Sequence, residues 1–198
     1  MRIFAAFLFL AVSLHAQAPK PYVDLKWDYM DLGPFHSGTF KVGEQFTAKG
    51  VAIRVGAGES RGTVLFDTEL LRWSAAWPGG FITFPRARGG VEGQIVPDGE
   101  PAFTTGYTPG WSATGELGDD PRDRHQGSLP AAQAKWRGLY LHENRVVLSY
   151  SVGQAEVLEM PGYEARAGQL AFTRTIRVGP STAPRTWTST ACAPSNRS

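Results

Sequence analysis

Between Arg137 and Met160 the chain alternates with a period of two. Leu139 and Leu141 alternate with Tyr140 and His142, and Val146, Leu148 and Tyr150 alternate with Val147, Ser149 and Ser151. Glu143-Asn144 can close one turn, with Asn tolerating positive φ, and Val152-Gly153 another before Ala155. Such alternation, rich in β-branched and aromatic residues, predicts a meander of antiparallel strands. A further strand is expected at 170–178, with Leu170, Phe172, Ile176 and Val178 on one face together with Arg174. Its other face would be Ala171, Thr173, Thr175 and Arg177. Earlier strands are expected at 51–55, 62–67, 71–77 and 81–84, the segment 71–77 placing Trp73 and Trp77 on one core face with Leu71 and Ala75.

No segment after residue 18 keeps a helical period for three turns, and Gly and Pro punctuate the pieces evenly. The pattern predicts an all-β fold, an antiparallel β-sandwich or distorted barrel. Single helical turns fit at 67–71 and 131–135. The Gly- and Pro-rich stretch 88–130 has little strand pattern, and loops longer than about 12–15 residues are usually functional or disordered. Its aromatic residues, Tyr107 and Trp111 among them, predict an ordered loop lying over one sheet.

The chain's two ends differ from this middle. Arg2, the apolar run 3–14 and Ala16-Gln17-Ala18 read as a secretory signal peptide over 1–18, cleaved before Pro19. The expected organisation is then a single β-rich domain at 19–179, exported to the periplasm or secreted. Residues 180–198, rich in Ser and Thr and free of acids, read as a disordered tail. The formal net charge of +2 gives no basic stripe for nucleic acid, and no further apolar run is long enough for a membrane span after cleavage. Cys192 is the single cysteine, so no intrachain disulfide forms, and no haem-attachment or zinc spacing is present. No cofactor is expected.

The candidate chemistry is sparse. Asp67 and Glu69, at i and i+2, would share a strand face, and paired carboxylates perform glycoside hydrolysis. The ordinary alternative has Asp67 capping a turn and Glu69 solvated or paired with Arg72. Arg174, in register with apolar neighbours, needs a buried carboxylate partner, with Glu156 or Glu159 first and Asp67 second. A functional version has it orient a carboxylate ligand. Trp111 and Tyr107 are candidates for ligand contact, Trp111 either as an exposed platform or as an anchor packing the long loop down. Asp119, Asp120 and Asp123 are candidate oxygen ligands for Ca²⁺, with Arg122 and Arg124 at hand to neutralise them instead.

Several runs also carry a family resemblance. They are Tyr29-Met30-Asp31-Leu32-Gly33-Pro34-Phe35, Phe66-Asp67-Thr68-Glu69-Leu70-Leu71-Arg72-Trp73, Trp77-Pro78-Gly79-Gly80-Phe81 and Lys135-Trp136-Arg137-Gly138-Leu139-Tyr140-Leu141-His142. With Glu156-Val157-Leu158-Glu159 and Phe172-Thr173-Arg174-Thr175, the set resembles an uncharacterised domain that opens large exported planctomycete and verrucomicrobial proteins, over roughly residues 22–181. In that family the domain tends to precede dehydrogenase-like and c-type cytochrome modules. The resemblance supplies no catalytic residues. It implies export and neighbours in electron transfer or sugar oxidation. The expectation is a non-catalytic accessory module that binds a carbohydrate or a partner protein of an exported oxidoreductase. The alternatives are a glycosidase-type enzyme using Asp67 or Glu69, and a purely structural docking domain.

Overall fold

The computed structural model describes residues 30–87, 90–91, 93–112, 118–166, 169–181 and 186–187. The signal-peptide reading, Cys192 and most of the tail lie outside these. The described residues between Asp31 and Trp187 form one compact unit. Its strands are β1 (Phe35–Val42), β2 (Gln45–Ala57), β3 (Ser60–Asp67), β4 (Arg72–Pro78), β5 (Ile82–Thr83), β6 (Arg86–Ala87), β7 (Gly90–Val91) and β8 (Val96–Pro97). They continue with β9 (Phe103–Thr104), β10 (Trp111–Ser112), β11 (Ala134–His142), β12 (Arg145–Val152), β13 (Ala155–Arg166), β14 (Gln169–Val178) and β15 (Thr186–Trp187).

Two open antiparallel sheets carry the architecture, in the orders β1-β2-β3-β4-β9 and β11-β12-β13-β14. Their facing sides share one core, in which Val51, Ile53, Val64 and Phe66 of the first sheet meet Val146, Leu148, Tyr150 and Val157 of the second. The fold is therefore all-β and sandwich-like, and among the described residues neither sheet closes into a barrel. The predicted meander is present as β11 to β13, and the later strand as β14. In the first meander turn it is Glu143, not Asn144, that takes positive φ, at 55°.

The five-stranded sheet is buried on both faces. On its far side Phe40, Ala52, Leu65, Ala75 and Trp77 form a second core with Phe81 and Ile95. This is why β3 and β4 are nearly continuous buried runs instead of an alternation of apolar and polar residues. The extra layer comes from Phe81, Ile82 and Phe84 together with Ile95 of the Gly- and Pro-rich region. Residues 102–110 of that region run along the outer edge of β4, where the N–H groups of Ala102, Thr105 and Gly110 donate to Ala76, Ser74 and Leu70. The region also contains the two-residue strands β7 to β10, which the sequence pattern does not announce.

One expectation about faces is corrected. Trp73 and Trp77 are both buried, but Trp73 belongs to the shared core and Trp77 to the second. Leu65 pairs with Ala75 while its neighbour Phe66 pairs with Trp73, so Ser74 is an extra residue on β4. Such a bulge reverses the faces on either side of it, because the side-chain period in a strand is two. The expected strand also starts one residue late, since Leu71 lies in a turn with φ of 51°.

Within the segment 180–198, Thr186 and Trp187 pair with Ser112 and Trp111 as β15 against β10.

Candidate functional site

The candidate residues fall into two buried polar networks and one open sheet face. The first network begins where β3 ends. β3 stops at Asp67, whose Oδ1 accepts the backbone N–H groups of Glu69 and Leu70 at 3.0 and 3.2 Å. Asp67 thus caps the 68–71 turn, and Asp67 and Glu69 do not continue a strand as a pair on one face. Asp67 Oδ2 stands 3.3 Å from Arg72 Nη2, while Glu69 Oε1 pairs with Lys49 at 3.1 Å and Oε2 with Arg122 at 3.4 Å. Arg122 in turn grips Asp120 through Nε and Nη2, both at 2.8 Å. Apart from the exposed Lys49, all of these charged side chains are nearly inaccessible.

Burial raises the Asp67 pKa above its ordinary value, against the opposing pull of Arg72 and the two backbone N–H groups. Burial likewise lowers the Arg72 pKa, opposed by the charge of Asp67. Arg72 donates to the carbonyl and hydroxyl of Thr105 through Nη1. Its Nε and Nη2 make no hydrogen bond, so the contact with Asp67 is Coulombic. Tyr107 lies beside this network, its ring centre 5.5 Å from the Arg72 guanidinium carbon and its hydroxyl accepting the Phe46 N–H at 2.8 Å. Glu69 therefore pairs with Lys49 and Arg122, and Arg72 goes to Asp67.

The candidate calcium ligands separate. Asp120 is committed to Arg122, whereas Asp123 is exposed beside Arg124, 3.8 Å away. Among the described residues no three His, Cys, Asp or Glu side chains gather as a metal site.

The second network lies inside the shared core. Glu159 is fully buried on β13. Its Oε1 accepts Trp73 Nε1 at 2.5 Å and Arg174 Nε at 2.8 Å, and its Oε2 accepts the Tyr150 hydroxyl at 2.6 Å and Arg174 Nη2 at 2.8 Å. Arg174 is thus turned to the core as its register requires, and Glu159 is its partner, not Glu156 or Asp67. Two indole rings also share the guanidinium, Trp73 at 5.0 Å and Trp187 at 5.2 Å. Burial raises the Tyr150 pKa strongly, and the neighbouring Glu159 charge adds to the effect. Of the two roles expected for Trp111 the structure shows the anchor: it is 2 % exposed and donates Nε1 to the Tyr150 hydroxyl at 3.0 Å.

The open surface is the outer side of the four-stranded sheet. With Val146, Leu148, Tyr150 and Val157 facing the core, Val147, Leu158 and Met160 face outward, half-buried. Tyr140, paired with Val147, is 62 % exposed and belongs to the same side. Sequence reasoning missed this face, although strict alternation in the meander was the available signal. It also missed the link of Lys49 and Arg122 to Glu69, for which no local signal exists at separations of 20 and 53 residues.

Both networks draw most of their residues from one segment, and the comparison with known families falls on it. Residues 64–159 match the family model of a domain of unknown function, DUF6797. The DUF6797 segment runs from Val64 in β3 to Glu159 in β13 and contains Asp67, Glu69, Trp111 and Tyr150. Arg174 and Lys49 complete the networks from outside it. No curated protein and no solved structure matches the chain.

Proposed function

We propose that the chain is an exported, non-catalytic accessory domain that docks onto a partner protein, an oxidoreductase or cytochrome module sharing its compartment. The observation that carries this reading is the open outer face of the four-stranded sheet, where Tyr140 is 62 % exposed beside Val147, Leu158 and Met160. Apolar side chains left on an outer sheet face suit an interaction site, and aromatic residues and Met are enriched in protein interfaces. Aliphatic side chains beside a single aromatic ring suit a protein better than a sugar, which needs flat aromatic platforms ringed by hydrogen-bond donors. Export rests on residues 1–18, and the kind of partner rests on the resemblance to domains that precede dehydrogenase-like and cytochrome modules. A non-catalytic role agrees with the engagement of all four carboxylate oxygens of Asp67 and Glu69 in capping and ion pairs.

The test is affinity capture from the exported protein fraction of the native host, with the mature chain as bait, beside Tyr140→Lys and Met160→Lys variants. A haem- or dehydrogenase-containing protein retained by the wild type and lost with both variants is the expected result. Capture indifferent to both variants, saturable binding on a glycan array, or turnover in a glycoside hydrolysis screen would overturn the reading.

A further inference from the structure

Independently of the partner-docking reading above, we propose that the free edge of β11 pairs with β11 of a second copy of this chain about a two-fold axis, joining two four-stranded sheets into one continuous sheet. Among the described residues β11 is the end strand of its sheet and pairs with β12 alone. An edge strand presents a row of N–H and C=O groups to any other strand, and folds usually blunt it with charge or a bulge. Here the blunting is confined to the first half, where Lys135 and Arg137 are exposed and the register shifts between Trp136 and Gly138. From Gly138 to His142 the register with β12 is regular, and this half carries Tyr140 and Leu141, 62 % and 52 % exposed. His142 and Arg145 flank a two-residue turn and so exchange backbone hydrogen bonds, from which the antiparallel ladder alternates. Tyr140 and Gly138 therefore bond to β12, whereas Leu139 and Leu141 turn their N–H and C=O groups to the free edge.

This parity selects both the occupant and its register. With Leu139 opposite the second copy's Leu141, and Leu141 opposite its Leu139, the edge-facing groups of all these residues are paired at once, and Tyr140 meets its own counterpart on the axis. A slide by two residues in either direction would set one of the leucines against Arg137 beside the bulge or Glu143 in the turn. In the favoured register the exposed Leu141 lies beside the second copy's Leu139, a residue already packed against the shared core, so apolar surface is covered on the inner side. The two Tyr140 rings cover each other on the outer side. Arg137, at one end of the edge, comes opposite the second copy's Glu143 at the other, and the two-fold axis makes this exposed pair twice. The edge is thus complementary to itself in backbone parity, apolar contact and charge, and a two-fold contact closes as a dimer without further growth.

The test is the mass of the full chain in solution, by sedimentation velocity over a concentration series, followed by cross-linking. A dimer with a dissociation constant below about 1 mM is expected. Leu141→Pro removes an N–H that β12 does not use and should weaken the dimer at least about tenfold. Should that variant unfold, Leu141→Lys at the same exposed position makes the same test. Arg137→Glu and Glu143→Arg should each weaken self-association severalfold, and an equimolar mixture of the two should recover it, because each copy then faces the opposite charge. With Cys192→Ser as background, Tyr140→Cys should cross-link to itself under mild oxidation, whereas Val147→Cys, one strand further in, should not. Met160→Lys, on the outer face away from this edge, should leave the dimer intact, which separates this proposal from the docking reading. A single-chain mass up to about 1 mM overturns the proposal. So does a dimer indifferent to Leu141→Pro and Leu141→Lys, or one that cross-links at Val147→Cys and not at Tyr140→Cys.

Discussion

Arg174 reaches diagonally across the β13–β14 ladder to Glu159, with Nε and Nη2 each 2.8 Å from a different carboxylate oxygen. Its direct cross-strand neighbour is Pro161, while Glu159 is paired with Ile176. The diagonal reach leaves the carboxylate under Trp73 and Tyr150, so one buried anion serves three donor side chains. Removing one partner of a buried pair strands the other charge, at a cost of about 3–5 kcal/mol. Arg174→Met should show that loss in a urea melt. A double change with Glu159→Met should recover only part of it, because Trp73 and Tyr150 then lose their acceptor and each unsatisfied donor costs about 1–3 kcal/mol. A loss below about 1 kcal/mol for the single variant, typical of surface pairs, would contradict the buried arrangement.

Tyr150 provides a pH test. Burial first, and then the Glu159 charge, raises its pKa in the fold. A raised folded-state pKa means that the native state holds the proton after the unfolded chain has released it. Stability from this group is therefore complete below the unfolded value of about 10 and declines as pH rises beyond it. Absorbance at about 295 nm should show one tyrosine that ionises only with alkaline unfolding. Tyr150→Phe should abolish that step and weaken the fold by about 1–3 kcal/mol through the donor lost to Glu159 and the acceptor lost to Trp111. An alkaline titration unchanged by Tyr150→Phe would contradict the assignment.

Asp67 follows the same sign. Its pKa is raised by burial from 3.8, so the native state takes up its proton first, and its contribution is complete below that value and lost as pH rises. Asp67→Asn removes this component while leaving Arg72 without its anion. The wild type should be the more stable protein, and its advantage over Asp67→Asn should shrink between about pH 4 and about pH 6. Urea midpoints at the two pH values measure it, and an advantage that widens would refute the stated sign.

Gly110 tests how the long loop is fastened. A Cβ there would lie 2.0 Å from the Leu71 carbonyl oxygen, and the Gly110 N–H donates to Leu70 at 2.9 Å. Both sides of the clash are backbone, so Gly110→Ala must displace the segment that seats Trp111. Gly106, with nothing within 4 Å, is the control. Gly110→Ala should cost about 1–3 kcal/mol, as overpacking does, and Gly106→Ala should fall within about 0.5 kcal/mol of wild type. Near-ultraviolet circular dichroism should register the change around Trp111 in the first variant alone.

The sequence by itself determined what depends on neighbours a few residues apart. Alternation over 137–160 and 170–178 set the strands and the inward side of the second sheet, and so turned Arg174 to the core before any partner was known. The charge that a guanidinium cannot shed then demanded a carboxylate, and proximity in the meander put Glu159 among the first two choices. Tertiary structure decided what depends on contacts between distant segments. The extra residue at Ser74 separates Trp73 from Trp77, and a period count cannot register a bulge that only the partner strand reveals. Burial of β3 and β4 on both faces required Phe81, Ile82, Phe84 and Ile95 to fold back over the sheet, a contact between distant segments. The fates of Glu69 and Trp111 were settled by Lys49, Arg122 and Tyr150, residues brought close only when the sheets and loop assemble. Period and turn chemistry are local properties of a chain, whereas charge pairing and burial belong to whichever segments the fold brings together.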